Sequence, residues 1–154
     1  MYQPAIKRTL LDLRKTANLF FNVDATKLDQ KFPDQKFDRI VWNFPHAGFP
    51  DQEKGPGFEW EDDTNKAHCD LIKGFFTSAL PLLRDTHSRV LISHKTIEPF
   101  GLWDIPGIGA SSGYQLVETL DFNCDHYPGY FNRRGAGKQC AKRFPCEDAK
   151  TYKF

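Results

Sequence analysis

The chain has 154 residues, with 21 Lys and Arg against 20 Asp and Glu and a formal net charge of +1. That length supports one domain with a real core, and 40% hydrophobic residues with 14% aromatics exclude an intrinsically disordered chain. No apolar run reaches the length of a membrane helix, no signal-peptide pattern opens the chain, and balanced charge excludes a uniformly basic nucleic-acid binder.

Pro4 to Thr16 reads as a helix, with Pro4 in its first turn and Ile6, Leu10 and Leu13 recurring on one face. Asn18 to Asp24, holding Leu19, Phe20, Phe21 and Val23, reads as a strand. Phe37 to Pro45 is a second strand, stopped by Pro45, which cannot donate to a ladder. Residues 47–62, rich in Gly, Pro and acids, read as a loop. Asp63 or Thr64 then caps a long helix reaching about Leu83. Its predicted inner face is Ala67, Leu71, Phe75, Ser78 and Leu82, and Pro81 bends its last turn. Arg89 to His94 is a third strand and Tyr114 to Leu120 a fourth. The stretch from Tyr127 is loop-rich and returns as a strand near Thr151 to Phe154. Strands alternating with helices predict an α/β sheet, in one domain over 1–154 without a linker or internal repeat.

Charge is segregated despite its balance. Residues 51–70 carry Asp51, Glu53, Glu59, Glu61, Asp62, Asp63 and Asp70 against Lys54 and Lys66. Residues 126–154 carry Arg133, Arg134, Lys138, Lys142, Arg143, Lys150 and Lys153 against Glu147 and Asp148. Tyr127, Tyr130, Phe131, Phe144, Tyr152 and Phe154 interleave with these bases; such rings stack on unpaired bases while Arg and Lys hold phosphates. A solvated face is the alternative for both blocks. Cys69, Cys124, Cys140 and Cys146 match no zinc spacing, and His68-Cys69 and Cys124-Asp125-His126 are too sparse to define a metal site, so no metal is expected. Free thiols fit an intracellular chain.

Three segments can carry chemistry. Gly107 to Gly113 has the glycines of a phosphate-cradling loop, but a strand follows it where a helix is required, so it reads as a connector. Val23-Asp24-Ala25-Thr26 ends a predicted strand, where an Asp can accept from an adenine amine; a helix cap is the other use of that Asp. Asn43-Phe44-Pro45-His46-Ala47-Gly48 ends the next strand. Proline fixes such a turn, the Asn side chain can accept from a planar nitrogen, Phe44 can pack or stack, and His46 can take a proton from a weakly acidic imide. A plain strand-ending turn remains the alternative.

The order of blocks adds to these readings. Asp24-Ala25-Thr26 comes first, then Phe37 through Gly48, then His94-Lys95-Thr96 with Pro99, Phe100 and Trp103. Tyr127-Pro128-Gly129-Tyr130-Phe131-Asn132-Arg133-Arg134-Gly135 and the terminal Tyr152-Lys153-Phe154 follow. This series resembles the 25S rRNA (uridine-N(3))-methyltransferase-like family, a Rossmann-like group dependent on S-adenosylmethionine, and it covers nearly the whole chain. The resemblance implies methylation of N3 of a uridine in large-subunit rRNA. Asn43, Phe44, Pro45 and His46 would form the catalytic corner, Asp24 and Ala25 the adenine side of the cofactor site, and His94, Lys95, Arg133 and Arg134 RNA contacts. Ribosomal RNA is the implied partner, no membrane is expected, and the implied location is the nucleus, nucleolus or cytoplasm.

Two departures qualify these expectations. The family is helical after Trp103, where Pro106, Gly107 and Gly109 make a poor helix. The family also opens with a strand, a Gly-Glu-Gly-x-Phe-Ser type loop, a helix and a second strand, and no such loop occurs in this sequence. The resemblance implies a sheet of order 3-2-1-4-5-7-6, so the expected fold is a Rossmann-like sheet lacking its first two strands and glycine loop. The strand at Leu19 to Val23 would then lack a ladder partner, and Arg39 to Asn43 would gain an open edge. The chain alone is expected to be aggregation-prone, without measurable cofactor affinity and inactive as an incomplete form. The alternative function is a non-catalytic RNA- or protein-binding remnant of the fold.

Overall fold

Four of the predicted strands form: β1 (Arg39–Asn43), β2 (Arg89–Lys95), β3 (Glu118–Asp121) and β4 (Ala149–Lys153). They make one mixed sheet of order β1-β2-β4-β3, with β1 parallel to β2 and β4 antiparallel to both β2 and β3. The helices are α1 (Pro4–Leu13), the single turn α2 (Leu28–Lys31), α3 (Asp62–Ala79) and α4 (Ile105–Ser111). The structure is a computed structural model describing residues 4–48, 60–134 and 140–154, with side chains from Arg8 onward. Its α/β architecture is compatible with a Rossmann-like fold, and the strand order is the one implied for strands 4-5-7-6.

Strand alternation decides what is buried. Ile40 and Trp42 of β1, Val90 and Ile92 of β2 and Tyr152 of β4 face α3, whose Ile72, Phe75, Phe76 and Ala79 are buried against them. Burying side chains of this size contributes roughly 1.5–3 kcal/mol each. Trp103, Ile105, Tyr114 and Phe154 complete this core, and the Tyr114 hydroxyl donates to the Phe76 carbonyl at 2.9 Å. Burial holds that hydroxyl protonated by raising its pKa. The opposite face is different: Val41 and Leu120 stay 58% and 44% exposed, so among the described residues the helices cover one face of the sheet. The outer edge of β1 has no ladder partner among those residues either.

Several expectations are corrected. No strand forms over Asn18–Asp24; Asn22 adopts φ 56°, which breaks an extended run, and Phe20 and Phe21 are more than half exposed. The α1 helix stops at Leu13, short of Thr16, and Leu13 is exposed rather than buried. The α3 helix starts from Glu61, which makes no side-chain cap, not from Asp63 or Thr64. Its buried stripe is Thr64, His68, Ile72, Phe75, Phe76, Ser78 and Ala79, shifted from the predicted face because two polar residues, Thr64 and His68, point inward. A 3₁₀ turn over Leu80–Leu82 holds Pro81 and supplies the predicted bend. Tyr114 belongs to the core rather than to the fourth strand, which begins at Glu118.

The Gly107 to Gly113 connector is also corrected, since Ile105–Ser111 is helical. Asp104 caps it, accepting from Gly107 N–H at 3.1 Å, and Pro106 sits in its first turn where proline loses nothing. A Cβ on Gly109 would meet the Phe154 ring at 2.4 Å, so glycine is what lets this helix approach the end of β4. Of the predicted loop at 47–62, residues 49–59 lie outside the described residues, as do Asp51, Glu53, Lys54 and Glu59 of the acidic block. In the basic tail, Gly135 and Lys138 lie outside them too.

Candidate active site at the carboxyl end of β1

The β1 strand ends at Asn43, and the chain turns sharply there. Phe44 takes φ 54°, a left-handed conformation that costs a bulky residue on the order of 1–3 kcal/mol. Two contacts hold it: Phe44 N–H donates to the Ser93 carbonyl at 2.7 Å, and its ring packs edge-on against Phe122 and Phe144, each at 5.0 Å. Of the two uses open to Phe44, packing is the one seen. Pro45 is buried, while Asn43 and His46 are exposed. Gly48, at φ 83°, closes the turn by donating its N–H to His46 Nδ1 at 2.9 Å.

Behind this turn stands a column of rings. His68 of α3 lies 4.3 Å from His46 and 4.1 Å from Trp103, and His94 of β2 lies 4.3 Å from Trp103. Trp103 is pinned to α3, its Nε1–H donating to Asn65 Oδ1 at 3.1 Å. Ala47 N–H donates to His68 Nδ1 at 3.0 Å, and His94 Nδ1 sits 2.8 Å from the Lys95 carbonyl. A carbonyl only accepts, so His94 carries its proton on Nδ1 and its lone pair on Nε2. In His46 and His68 the Nδ1 lone pairs accept from amides, so the neutral rings carry their protons on Nε2. Burial lowers the pKa of both His68 and His94 to about 4, and the neighbouring imidazoles push the same way. Both rings are therefore neutral at physiological pH.

The predicted RNA-contact residues separate into two kinds. His94 is 3% exposed and belongs to the ring column, not to the surface. Lys95 places its ammonium 3.7 Å from the centre of the Phe100 ring and 5.8 Å from that of Phe144, beside the corner. Arg133 and Arg134 are exposed in the basic loop. Arg133 Nη1 donates to the Ala141 carbonyl at 2.6 Å, and Arg134 N–H donates to Lys142. Phe122 links that loop to the corner, stacked on Tyr127 at 5.7 Å and edge-on to Phe44. Cys124 and Cys146 place their sulfurs 3.6 Å apart as free thiols, and burial raises the Cys146 pKa to about 11.

Asp24 and Ala25 lie elsewhere. Asp24 caps the 3₁₀ turn Ala25–Lys27, its Oδ1 accepting from Thr26 N–H at 2.9 Å and from the Thr26 hydroxyl at 2.7 Å. The Ala25 carbonyl accepts from the Ser78 hydroxyl at 2.8 Å. A Cβ on Gly74 would meet the Thr26 side chain at 2.7 Å, so the turn is seated directly on α3. Ser78 and His68 are ten residues apart on that helix, or about 15 Å along its axis. An open depression of about 260 Å³ adjoins the turn, lined by Asn22, Val23, Asp24, Lys27, Gln30 and Lys31. Ligand sites usually enclose roughly 300–1,000 Å³, so this depression is somewhat smaller than a typical ligand pocket.

Sequence reasoning reached Asn43 to His46 and passed over His68, noticed only as a weak metal-ligand pair with Cys69. A histidine on the inward stripe of a helix was the available signal.

Comparison with known proteins bears on what this corner serves. The rRNA (uridine-N3-)-methyltransferase BMT5-like family matches residues 1–134. The chain is 37% identical over 144 residues to heavy metal-associated isoprenylated plant protein 41 of Arabidopsis thaliana, covering 92% of this chain and 26% of that one. It is 34% identical over 134 residues to an uncharacterized protein of the same plant, covering 86% and 62%. It is 23% identical over 188 residues to the 25S rRNA (uridine(2634)-N(3))-methyltransferase of Saccharomyces cerevisiae, covering 88% and 54%. The chain thus spans less than two thirds of the length of each of these relatives. With the family matching residues 1–134, most of its length, the chain belongs to the BMT5-like family of rRNA (uridine-N3-)-methyltransferases.

Proposed function

We propose that the Asn43–Gly48 corner binds a uridine of large-subunit rRNA and serves transfer of a methyl group to its N3. The observation that carries this reading is the strained Phe44 turn backed by neutral imidazoles, a rigid polar edge at the carboxyl end of a parallel strand. Asn43 would accept from the imide edge of the base, and Pro45 fixes the turn. His46 has its lone pair on Nδ1, so taking the imide proton requires the Gly48 amide to release that nitrogen. While Gly48 holds it, His46 presents an Nε2–H, which suits the carbonyl oxygens that gain charge as N3 loses its proton. Lys95, Arg134 and the Tyr127 to Phe131 aromatics would hold the RNA backbone and flanking bases.

S-adenosylmethionine supplies the electrophilic methyl group in such a reaction. Asp24 fits its adenine side in part: Oδ1 is engaged by Thr26, and Oδ2, 3.7 Å from Lys27 Nζ, is the oxygen that would take the amine. The shallow depression and the lack of a Gly-Glu-Gly-x-Phe-Ser segment in the sequence support a chain that does not hold the methionine end. Titration calorimetry with this chain alone should show no saturable cofactor binding, and micromolar affinity would sink that expectation.

The methylation itself is tested with a chimera in which this chain replaces the matching residues of the Saccharomyces cerevisiae relative. Incubation with large-subunit rRNA, digestion to nucleosides and mass spectrometry should yield 3-methyluridine. His46→Ala should lower that yield by about 10²-fold or more. A methyl mark on another base would move the substrate assignment. Retention of rRNA without any methylation would favour a second reading, a non-catalytic RNA-binding form of the fold, which the engaged state of Asp24 favours. Either reading places the protein where large-subunit rRNA is made or used, in the nucleus, nucleolus or cytoplasm.

A further inference from the structure

We propose that His68 is a positioning residue for the Asn43–Gly48 corner, holding the His46 turn by accepting the Ala47 amide through Nδ1 across 3.0 Å. The proposal rests on the methyltransferase reading only for which reaction the corner serves.

Three observations carry it. First, His68 is fully buried on α3, one turn from Thr64 and Ile72, at a place where an apolar ring would fill the space without desolvating two nitrogens. Second, its Nε2–H has no hydrogen-bond partner among the described residues. Buried donors are almost always paired, so an unpaired one means the ring is kept for its other nitrogen. Third, that other nitrogen reaches the backbone between His46 and Gly48 from a helix 21 residues further along the chain, beside the local bond from Gly48 N–H to His46 Nδ1. The ring packs against both His46 and Trp103, which also meet edge-on at 6.1 Å, so the side chain joins the turn to the rings beneath it.

The arrangement requires a neutral ring. Protonating Nδ1 would set two donors against each other at the Ala47 amide. The titratable groups facing His68 are His46 from the turn and His94 from β2, and both disfavour a positive charge there. Trp103 closes the remaining side with an apolar ring.

Two variants separate positioning from filling. His68→Asn keeps an acceptor near the place of Nδ1 but loses the ring; His68→Phe keeps a ring and loses the acceptor. Amide exchange measured by NMR should show Ala47 protection nearly kept in His68→Asn and reduced about tenfold in His68→Phe. Long-range ¹⁵N–¹H spectra of the unmodified chain should show His68 protonated on Nε2 alone from pH 5 to 8. An Nδ1-protonated or charged His68, or Ala47 exchange unchanged in His68→Phe, would overturn the proposal. The tautomer measurement stands if neither variant folds. These readouts do not involve methylation, so they can succeed where the rRNA experiment fails, and the reverse. In the chimera, His68→Phe should lower 3-methyluridine yield with His68→Asn partly restoring it.

Discussion

Two corners flank α3, and they are built in opposite ways. The Asn43–Gly48 turn is backed by a column of rings, with His68 fully buried and Trp103 1% exposed. The Asp24 turn lies open, and its carboxylate satisfies its own local amide and hydroxyl. The first turn stores strain at Phe44 and needs long-range partners to persist; the second is a local cap that would form with few of its neighbours. On the proposed reading, rigid, buried support belongs to the side that would orient a planar base. A site for a flexible cofactor needs walls on several sides, and on the same reading the Asp24 turn would supply one. The difference shows how two turns seated on one helix can depend on distant side chains to very different degrees.

The comparison can be broken most severely at Trp103. Trp103→Ala removes the ring that packs against both His68 and His94 and frees Asn65, leaving a cavity among these rings. The expected loss is about 3–5 kcal/mol, read by urea unfolding, with the corner amides losing exchange protection. A loss below about 1 kcal/mol would show that the column does not support the fold.

Acid should act on the same column next most strongly. His68 and His94 have pKa values lowered to about 4 against an ordinary 6.5, so the unfolded chain binds protons that the folded chain refuses. Their contribution is fully present above pH 6.5 and declines as pH falls toward 4. Each site loses at most about 1.4 kcal/mol per pH unit, or about 2 kcal/mol each by pH 5. Unfolding midpoints at pH 7, 6 and 5 test this, and in His68→Asn the slope should fall by about half. A pH-independent midpoint would mean that the column opens to solvent.

How far the sequence foretold these two corners follows from how local each is. The β1 strand and its stop were readable because Ile40, Val41 and Trp42 form a short apolar run and Pro45 ends the ladder. The Asp24 cap was readable as an alternative because Asp-x-Thr carries its own hydrogen bonds. The support for the first corner was not, since Ala47 and His68 are 21 residues apart and no spacing rule joins them. The same holds for α4: its glycines look like helix breakers until Phe154, 45 residues later in the chain, packs against Gly109. The strand expected at Leu19 to Val23 failed for the converse reason. Its apolar residues suit a ladder, yet no neighbour among the described residues offers one, and Asn22 turns the chain away.

Smaller effects belong to the Asp24 side. Gly74→Ala would push a methyl group against Thr26 and lift the turn from α3, at a cost of about 1–3 kcal/mol. The rings toward the start of the helix should keep their tautomers, since Gly74 and His68 are six residues, or about 9 Å, apart along its axis. Thermal unfolding and the His68 ¹⁵N spectrum measure both halves of that expectation. If the spectrum changed as well, α3 would be transmitting strain between the corners.

Asp24 itself should give the smallest change in stability and the most informative one. The Thr26 hydroxyl and amide keep its carboxyl ionised by lowering its pKa, but the side chain is half exposed, and a cap there needs an oxygen rather than a charge. Asp24→Asn preserves that oxygen, so the thermal midpoint should not move, whereas Asp24→Ala should lower it by less than Gly74→Ala does. In the chimera the two roles separate. Asn turns the outward oxygen, the only one left to meet an adenine amine, into a donor. The KM for S-adenosylmethionine should then rise about tenfold at an unchanged midpoint, the cost of setting a donor against a donor. An unchanged KM in Asp24→Asn would leave the residue a cap and nothing more, and the cofactor side of this chain would reduce to the seat of that turn on Gly74 and Ser78.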